Sequence, residues 1–272
     1  MKKLLVLLAT GLIASFAVMA ADDIDGAYTD LKTAQDAKKG PAEIKTLAVA
    51  VLNFAAKTPD DAHAKEVATQ AEYALLTAAL TATPAEQVDL LGALEAANPK
   101  SEYMASGYPY YLNALARTAP AKFGAAADKA AANFPDNQDI LVAAADYSLA
   151  AKQNDRAMTF AGRALGAKGK ADGATITRMH FIIGVVQGGK QKFFECNKEL
   201  RAALPGLSGA QAQTANYTLG VCNYQLGRQI VNKAQILEAA KFMDAAAAAG
   251  GSLQAQAAQM SNAMKSEAGK MR

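Results

Sequence analysis

The two cysteines are the residues whose type and spacing most directly suggest chemistry. Cys196 and Cys222 are the only cysteines in the 272 residues, and they lie 26 positions apart. An even count favours a disulfide in an oxidising compartment, where closing this loop would stabilise the fold by ~3 kcal/mol. The alternative is that both are small buried thiols that fill helix contacts. Because the chain contains no C-x-x-C sequence, we expect no redox role.

The two histidines, His63 and His180, could in principle bind a metal. A metal site needs several His, Cys or carboxylate ligands at suitable spacing. His63 has Asp60 and Asp61 beside it, but these two belong to a predicted helix start. We therefore interpret both histidines as structural residues and expect neither a metal nor another cofactor.

Aromatic residues are concentrated in one short segment that contains Tyr103, Tyr108, Tyr110 and Tyr111. Tyrosines offer large amphipathic contact surfaces and are favoured in recognition, including recognition of sugars. The alternative is that they fill helix contacts, which the alanine-rich surroundings would otherwise leave underpacked. Pro109 within the same segment lacks a backbone donor and predicts a kink or a break in the helix.

Sequence motifs of common enzymes are missing from the chain. We find no G-x-S-x-G, no H-E-x-x-H and no phosphate-binding glycine loop. The segment Gly188-Gly189-Lys190 follows no predicted strand, so it is not interpreted as a phosphate site. We expect a protein without enzymatic activity.

The first twenty residues have the features of a signal peptide. Two lysines precede an apolar run over 4–18, and small or aliphatic residues end it, which predicts cleavage near Ala20/Ala21. The run is shorter than the ~20 apolar residues of a membrane span. We therefore expect a periplasmic or secreted mature chain without an integral membrane span.

The charge pattern argues against binding to nucleic acid. Loss of the two leader lysines lowers the formal charge of +3 by two. The remaining Lys and Arg residues are scattered along predicted helices, whereas binding to a phosphate backbone needs them clustered.

The composition predicts an all-α fold. Alanine, the residue with the highest helix propensity, is abundant, and alternating strand patterns are missing. Proline at a first helical position, with an acid two residues later, marks starts at Pro41, Pro59 and Pro84. These signals predict thirteen helices near 22–38, 42–57, 60–81, 85–97, 102–117, 121–133, 137–151, 155–166, 173–187, 190–203, 209–226, 233–249 and 252–270.

Short connections between these helices predict antiparallel hairpins, and an internal echo indicates that the hairpins repeat. Phe123, Ala127 and Ala130 are followed about 34 residues later by Ala157, Ala161 and Ala164.

From about residue 100 onward the chain resembles the tetratricopeptide repeat family. Asn98-Pro99-Lys100-Ser101 and Phe134-Pro135-Asp136-Asn137 are similar to the family's junctions between repeats. The segments 180–184 and 216–220, each ending in glycine, resemble its first-helix signature, although His180 and Asn216 replace the usual tryptophan. The resemblance implies stacked helical hairpins in a right-handed solenoid.

This register divides the chain into a signal peptide (1–20), looser helical hairpins (21–100), repeats (101–250) and a capping helix (251–272). It places Gly184, Gly220, Ala157 and Ala164 at helix contacts. It also places Cys196 and Cys222 on neighbouring helices of consecutive units, where a bridge is possible.

First helices line the concave face of such an array. The register assigns six residues to this candidate partner-binding groove: Tyr108, Asp146, Arg178, Tyr217, Tyr224 and Gln225.

Two functions follow from these patterns. The first is a non-enzymatic scaffold of the bacterial envelope that binds a protein or peptide partner. The alternative is a helical toroid that binds or processes cell-wall glycan, which the tyrosine segment and the predicted export suggest. The sequence leaves the partner and the oligomeric state open.

Overall fold

The computed structural model describes residues 23–167 and 171–271, and these residues form helices and short connections without any strand. The all-α prediction is confirmed. The predicted signal peptide and its cleavage point lie outside the described residues.

The helices agree with the thirteen predicted segments to within about three residues at either end. Their bounds are α1 Ile24–Asp36, α2 Pro41–Ala55, α3 Ala62–Thr81, α4 Pro84–Ala97, α5 Glu102–Thr118, α6 Pro120–Asn133, α7 Gln138–Ala150, α8 Asn154–Gly166, α9 Gly173–Gly189, α10 Phe193–Ala203, α11 Gly209–Gln229, α12 Lys233–Ala248 and α13 Gln254–Lys270, with a 3-10 turn at Leu204–Gly206.

Local capping explains why the sequence located these ends well. At α4 the Thr83 hydroxyl accepts from the Glu86 amide at 3.4 Å, and the Thr83 amide donates to the Glu86 carboxylate at 2.9 Å. The Thr83 hydroxyl also donates to the Glu86 carboxylate at 2.7 Å, and this bond, followed by the one from the Thr83 amide, lowers the pKa of Glu86. The start of α3 differs from the prediction because Asp61, and not a residue before Pro59, caps the Ala64 amide at 2.8 Å.

Pro109 does not break its helix, so that part of the prediction is wrong. Helix α5 continues through it from Glu102 to Thr118. Proline removes only the hydrogen bond to the carbonyl four residues earlier, that of Ala105. Tyr108 and Leu112, on either side of Pro109, are fully buried, and their packing holds the helix in place.

The chain divides into two compact units, one up to Ala74 and the other from Leu75 onward. In the first unit, α1 packs against α2, and the His63 imidazole of α3 lies 2.7 Å from the Asp25 carboxylate of α1. This division concerns packing, and the predicted start of repeat resemblance near residue 100 stays a prediction.

The second unit is an array in which each helix packs against the next one along the chain. The helices α5, α7, α9 and α11 also pack side by side, α5 on α7, α7 on α9 and α9 on α11. We call these four helices the inner layer. Each is followed by an antiparallel helix on the outside, which is the arrangement of a helical-repeat solenoid.

Small residues allow the helices to approach closely, as the sequence predicted. A Cβ atom at Gly184 would lie 2.5 Å from Leu200 Cγ, and one at Gly220 would lie 2.8 Å from Met243 Cε. Ala157 and Ala164 are fully buried. In the pairs α9–α10 and α11–α12, a side chain of the second helix therefore packs directly against a glycine of the first helix.

Helix α13 covers the end of the array. Ala257, Met264 and Ala268 join a buried cluster with Ile236 and Met243 of α12. The division of the chain that includes a capping helix stays a prediction. Among the described residues, no helix is long and apolar enough to cross a bilayer.

We predict that Gly184→Ala lowers the free energy of unfolding by about 1–3 kcal/mol, because the new methyl group would overlap Leu200. The control is Gly162→Ala in the middle of α8, where nothing lies within 4 Å of the added Cβ. It should raise stability by about 0.5–1 kcal/mol. Urea unfolding of both variants measures the difference, and equal effects at the two glycines would contradict the packing argument.

Candidate functional site

A groove of about 820 Å³ lies on the inner layer of the second unit. Helices α5, α7 and α9 and the C-terminal end of α3 supply its walls. We call it the inner groove, and it is lined by Leu76, Leu80, Ala105, Ser106, Pro109, Tyr110, Asn137, Asp139, Val142, Ala143, Asp146, Tyr147, Ala150 and Arg178.

An ion pair forms the polar part of the inner groove. Arg178 Nε of α9 donates to Asp146 Oδ1 of α7 at 2.7 Å. Burial raises the pKa of Asp146, and the hydrogen bond and charge of Arg178 oppose that rise. The terminal nitrogens of Arg178 make no hydrogen bond to the described part of the chain, so they can donate to a ligand.

Large apolar side chains form the rest of the surface. Leu80 and Tyr110 line the groove and are 47% and 46% exposed, and Val142 is a third apolar lining residue. Pro109 and Ala105 both line the groove. Because proline has no amide proton, the Ala105 carbonyl lacks its helical hydrogen bond. The groove thus combines an apolar surface with a fixed set of polar groups.

Tyr108 does not face this groove, contrary to the prediction. Its side chain is 0% exposed, and its hydroxyl donates to Glu95 Oε1 at 2.8 Å. Burial, followed by the hydrogen bond to Glu95, raises its pKa. Its ring packs edge-on against Phe134 at 5.9 Å between centroids. The alanine-rich core needs a bulky side chain at this position, and the following exposed tyrosine, Tyr110, reaches the groove instead.

The three predicted residues of α11 lie apart from the inner groove. The Tyr217 hydroxyl is 3.3 Å from Met260 Sδ, and the Tyr224 hydroxyl hydrogen-bonds the Glu267 carboxylate, so α13 lies against both. Gln225 is partly exposed on the same helix and is not among the lining residues. Of the six predicted residues, only Asp146 and Arg178 line the inner groove, whereas Tyr217 and Tyr224 lie together against α13.

Sequence reasoning missed several lining residues. Asp139, Val142, Ala143 and Ala150 share one face of α7 with Asp146, at the spacing of successive helical turns. Extending that stripe from Asp146 could have found them. No local signal indicated that the end of α3 contributes Leu80, because this depends on how distant helices pack.

The two cysteines are joined by a disulfide. It links α10 to α11, with 6.6 Å between the Cα atoms, and both residues are fully buried. A Cβ atom at Gly188 would lie 3.2 Å from Cys196 Sγ and 3.4 Å from Cys222 Sγ. The bare backbone of α9 thus leaves room for the bridge.

Both histidines pair with carboxylates. His63 contacts Asp25, which raises the pKa of the imidazole chiefly through their hydrogen bond. His180 Nδ1 lies 2.6 Å from Glu199 Oε2 and joins α9 to α10. Within residues 23–167 and 171–271, no group of three or more His, Cys, Asp or Glu side chains could hold a metal ion.

The fold and the inner groove together define an all-α helical-repeat protein with a ligand-sized surface site. A scan against protein-family models finds no family that matches the chain. A search of curated proteins finds no significant match either.

We predict that the double variant Cys196→Ala/Cys222→Ala loses ~3 kcal/mol of unfolding free energy, because the bridge restricts a 26-residue loop in the unfolded chain. Urea unfolding measures this. A reductant should destabilise the wild type by a similar amount and leave the double variant unchanged. A wild-type midpoint that reductant does not move would contradict the prediction.

We predict that Arg178→Gln raises the pKa of Asp146 further, because burial then acts without the opposing cation. Because the pKa of Asp146 is then higher in the folded state than in the unfolded state, the native state binds more protons. The free energy of unfolding of the variant therefore rises as the pH falls from the folded-state pKa to the unfolded-state pKa. Carboxyl-carbon NMR titration measures the pKa. Arg201→Gln, which removes a partner of Glu238 at 2.8 Å, should leave the Asp146 titration unchanged.

Proposed function

We propose that this protein is a non-enzymatic helical-repeat scaffold that binds a peptide segment of a partner protein in its inner groove. The observation that carries this proposal is the combination, in one groove, of exposed Leu80 and Tyr110 with the Asp146–Arg178 pair.

The size of the groove suits a short segment of chain. Ligand sites usually enclose roughly 300–1,000 Å³, and the inner groove has about 820 Å³. It runs along the packed helices α5, α7 and α9, and the surface of a repeat array is suited to extended ligands.

The chemistry of the groove favours a peptide with one bulky apolar side chain. Such a side chain would cover Leu80, Tyr110 and Val142, removing apolar surface from water. Asp146 holds the guanidinium of Arg178 through Nε, which leaves the terminal nitrogens to donate to a peptide carbonyl. One basic and two acidic side chains line the groove, since Asp139 is also present, so a neutral or weakly basic segment fits best.

The groove lining supports a binding role over a catalytic one. It contains Ser106 but no histidine, cysteine or lysine that could activate a nucleophile. The raised pKa of Asp146 has a structural cause in burial and is partly offset by Arg178.

We assign the repeats to the tetratricopeptide class and the chain to the bacterial periplasm or the secreted proteins. The echo of about 34 residues and the pairing of inner and outer helices support the class. The apolar leader of residues 1–20 supports export. The glycan alternative receives less support, because only Tyr110 of the tyrosine segment is strongly exposed.

The test uses a displayed library of random peptides selected on the chain from Ala21 onward. Selected peptides should carry a bulky apolar side chain, and one labelled peptide then measures affinity by fluorescence anisotropy. We predict that Leu80→Ser and Tyr110→Ser each weaken its binding about tenfold, because each removes buried apolar contact. Arg178→Gln should weaken it by a similar factor through the lost charged hydrogen bond.

The control variant is Phe194→Ser, which removes a 71% exposed aromatic side chain outside the groove. It should bind the labelled peptide as the wild type does. Failure to select any peptide, or equal binding by the three groove variants and the wild type, would refute the proposal.

A further inference from the structure

Three equivalent turns form one edge of the second unit. They join α7 to α8 at residues 151–153, α9 to α10 at 190–192 and α11 to α12 at 230–232. Because α7, α9 and α11 lie side by side and each is followed by an antiparallel helix, the three turns lie at the same ends of the hairpins. We call this the turn edge, and none of its turn residues lines the inner groove.

The turn edge ends in a group of exposed apolar side chains. Phe194 is 71% exposed, Ile230 67% and Val231 76%. Phe194 shares a shallow depression of about 240 Å³ with Leu226, which precedes Ile230 by one helical turn. These positions place Phe194, Ile230 and Val231 at one corner of the array, which we call the apolar tip.

Val231 is an unusual residue for its backbone conformation. Its φ is +50°, in the left-handed region that β-branched residues rarely adopt. The equivalent positions of the two neighbouring turns have the same conformation but carry Lys152 and Gln191, with φ of +58° and +60°. The last turn thus exposes an apolar side chain where its neighbours expose polar ones, at a cost in backbone strain.

Basic side chains surround the apolar tip. Lys192, Lys198 and Lys233 have no ion-pair partner among the described residues, and the Lys233 ammonium donates to the Met271 carbonyl at 3.0 Å.

The acidic residues nearby do not cancel this charge. Glu238 is paired with Arg201 at 2.8 Å and Glu267 with Arg228 at 3.4 Å. Glu195 and Glu199, the latter 2.6 Å from His180, are then two acids beside three lysines. The corner is therefore both apolar and net positive.

We propose that the apolar tip docks on the surface of an anionic phospholipid bilayer. Phe194, Ile230 and Val231 would enter the boundary between headgroups and acyl chains, as apolar side chains of surface-bound segments do. Lys192, Lys198 and Lys233 would lie at the level of the phosphates, where each basic residue near the surface adds to the attraction. The arrangement would hold the array by one corner and leave the inner groove open.

The test measures sedimentation of the chain from Ala21 onward with vesicles of equal parts phosphatidylglycerol and phosphatidylcholine. Binding should exceed that to pure phosphatidylcholine vesicles and fall at high salt. Ile230→Ser should weaken binding about tenfold. Lys192→Gln/Lys233→Gln should weaken it about 25-fold, since each lysine contributes about fivefold.

Val231→Asn separates lipid binding from folding. Asn tolerates the left-handed conformation better than Val, so this variant should unfold at no lower urea concentration than the wild type while it loses vesicle binding. Leu80→Ser, which changes the inner groove, should keep full vesicle binding. The two proposals can therefore fail separately.

Three results would overturn this inference. They are a wild-type chain that does not sediment with the anionic vesicles, equal binding to both vesicle types, and tip variants that bind like the wild type. A fourth contrary result would come from sedimentation velocity without lipid. If the wild type self-associates and Ile230→Ser is a monomer, the apolar tip is a contact between copies of the chain.

Discussion

The structure of the second unit depends on the close approach of helices at residues with little or no side chain. Gly184 admits Leu200, Gly220 admits Met243, and Ala161 is fully buried between its neighbours. A helical hairpin of such small residues buries little apolar surface alone, so each hairpin gains stability only by packing on the next. Gly188 acts in the same way at the disulfide. Because it has no side chain, the two sulfur atoms can lie beside the backbone of α9.

The same constraint determines where the large side chains go. A core of alanine contacts has room for a few bulky groups, and Tyr108 is one of them, fully buried with its hydroxyl satisfied by Glu95. Residues that point away from the close contacts form the inner groove. There Asp146 and Arg178 join neighbouring inner helices, and Tyr110 stays exposed. The groove is thus the surface that remains once the small-residue contacts have set the helix spacing.

The repeat architecture separates two kinds of surface. Helices α5, α7 and α9 of the inner layer line the groove, where an ion pair between two helices fixes the polar groups and the apolar groups are partly exposed. The turn edge is built from segments of common backbone geometry whose side chains differ from turn to turn. A common backbone lets single turns change without disturbing the core. The last turn carries Val231 where the other two turns carry Lys152 and Gln191. This difference requires a local explanation, and the proposed contact with a lipid surface supplies one.

The sequence by itself determined the helices, because capping residues, prolines and helix propensity act over one or two turns. The Thr83–Glu86 capping box and the stripe that contains Asp146 could both be located this way. Only the tertiary structure decided which predicted groove residues share a surface. Helical periodicity assigns a residue to a face but not to a neighbour, so it could not foresee that Tyr108 is enclosed or that α13 lies against Tyr217 and Tyr224. Those outcomes depend on contacts between residues far apart in the chain, which no local pattern encodes.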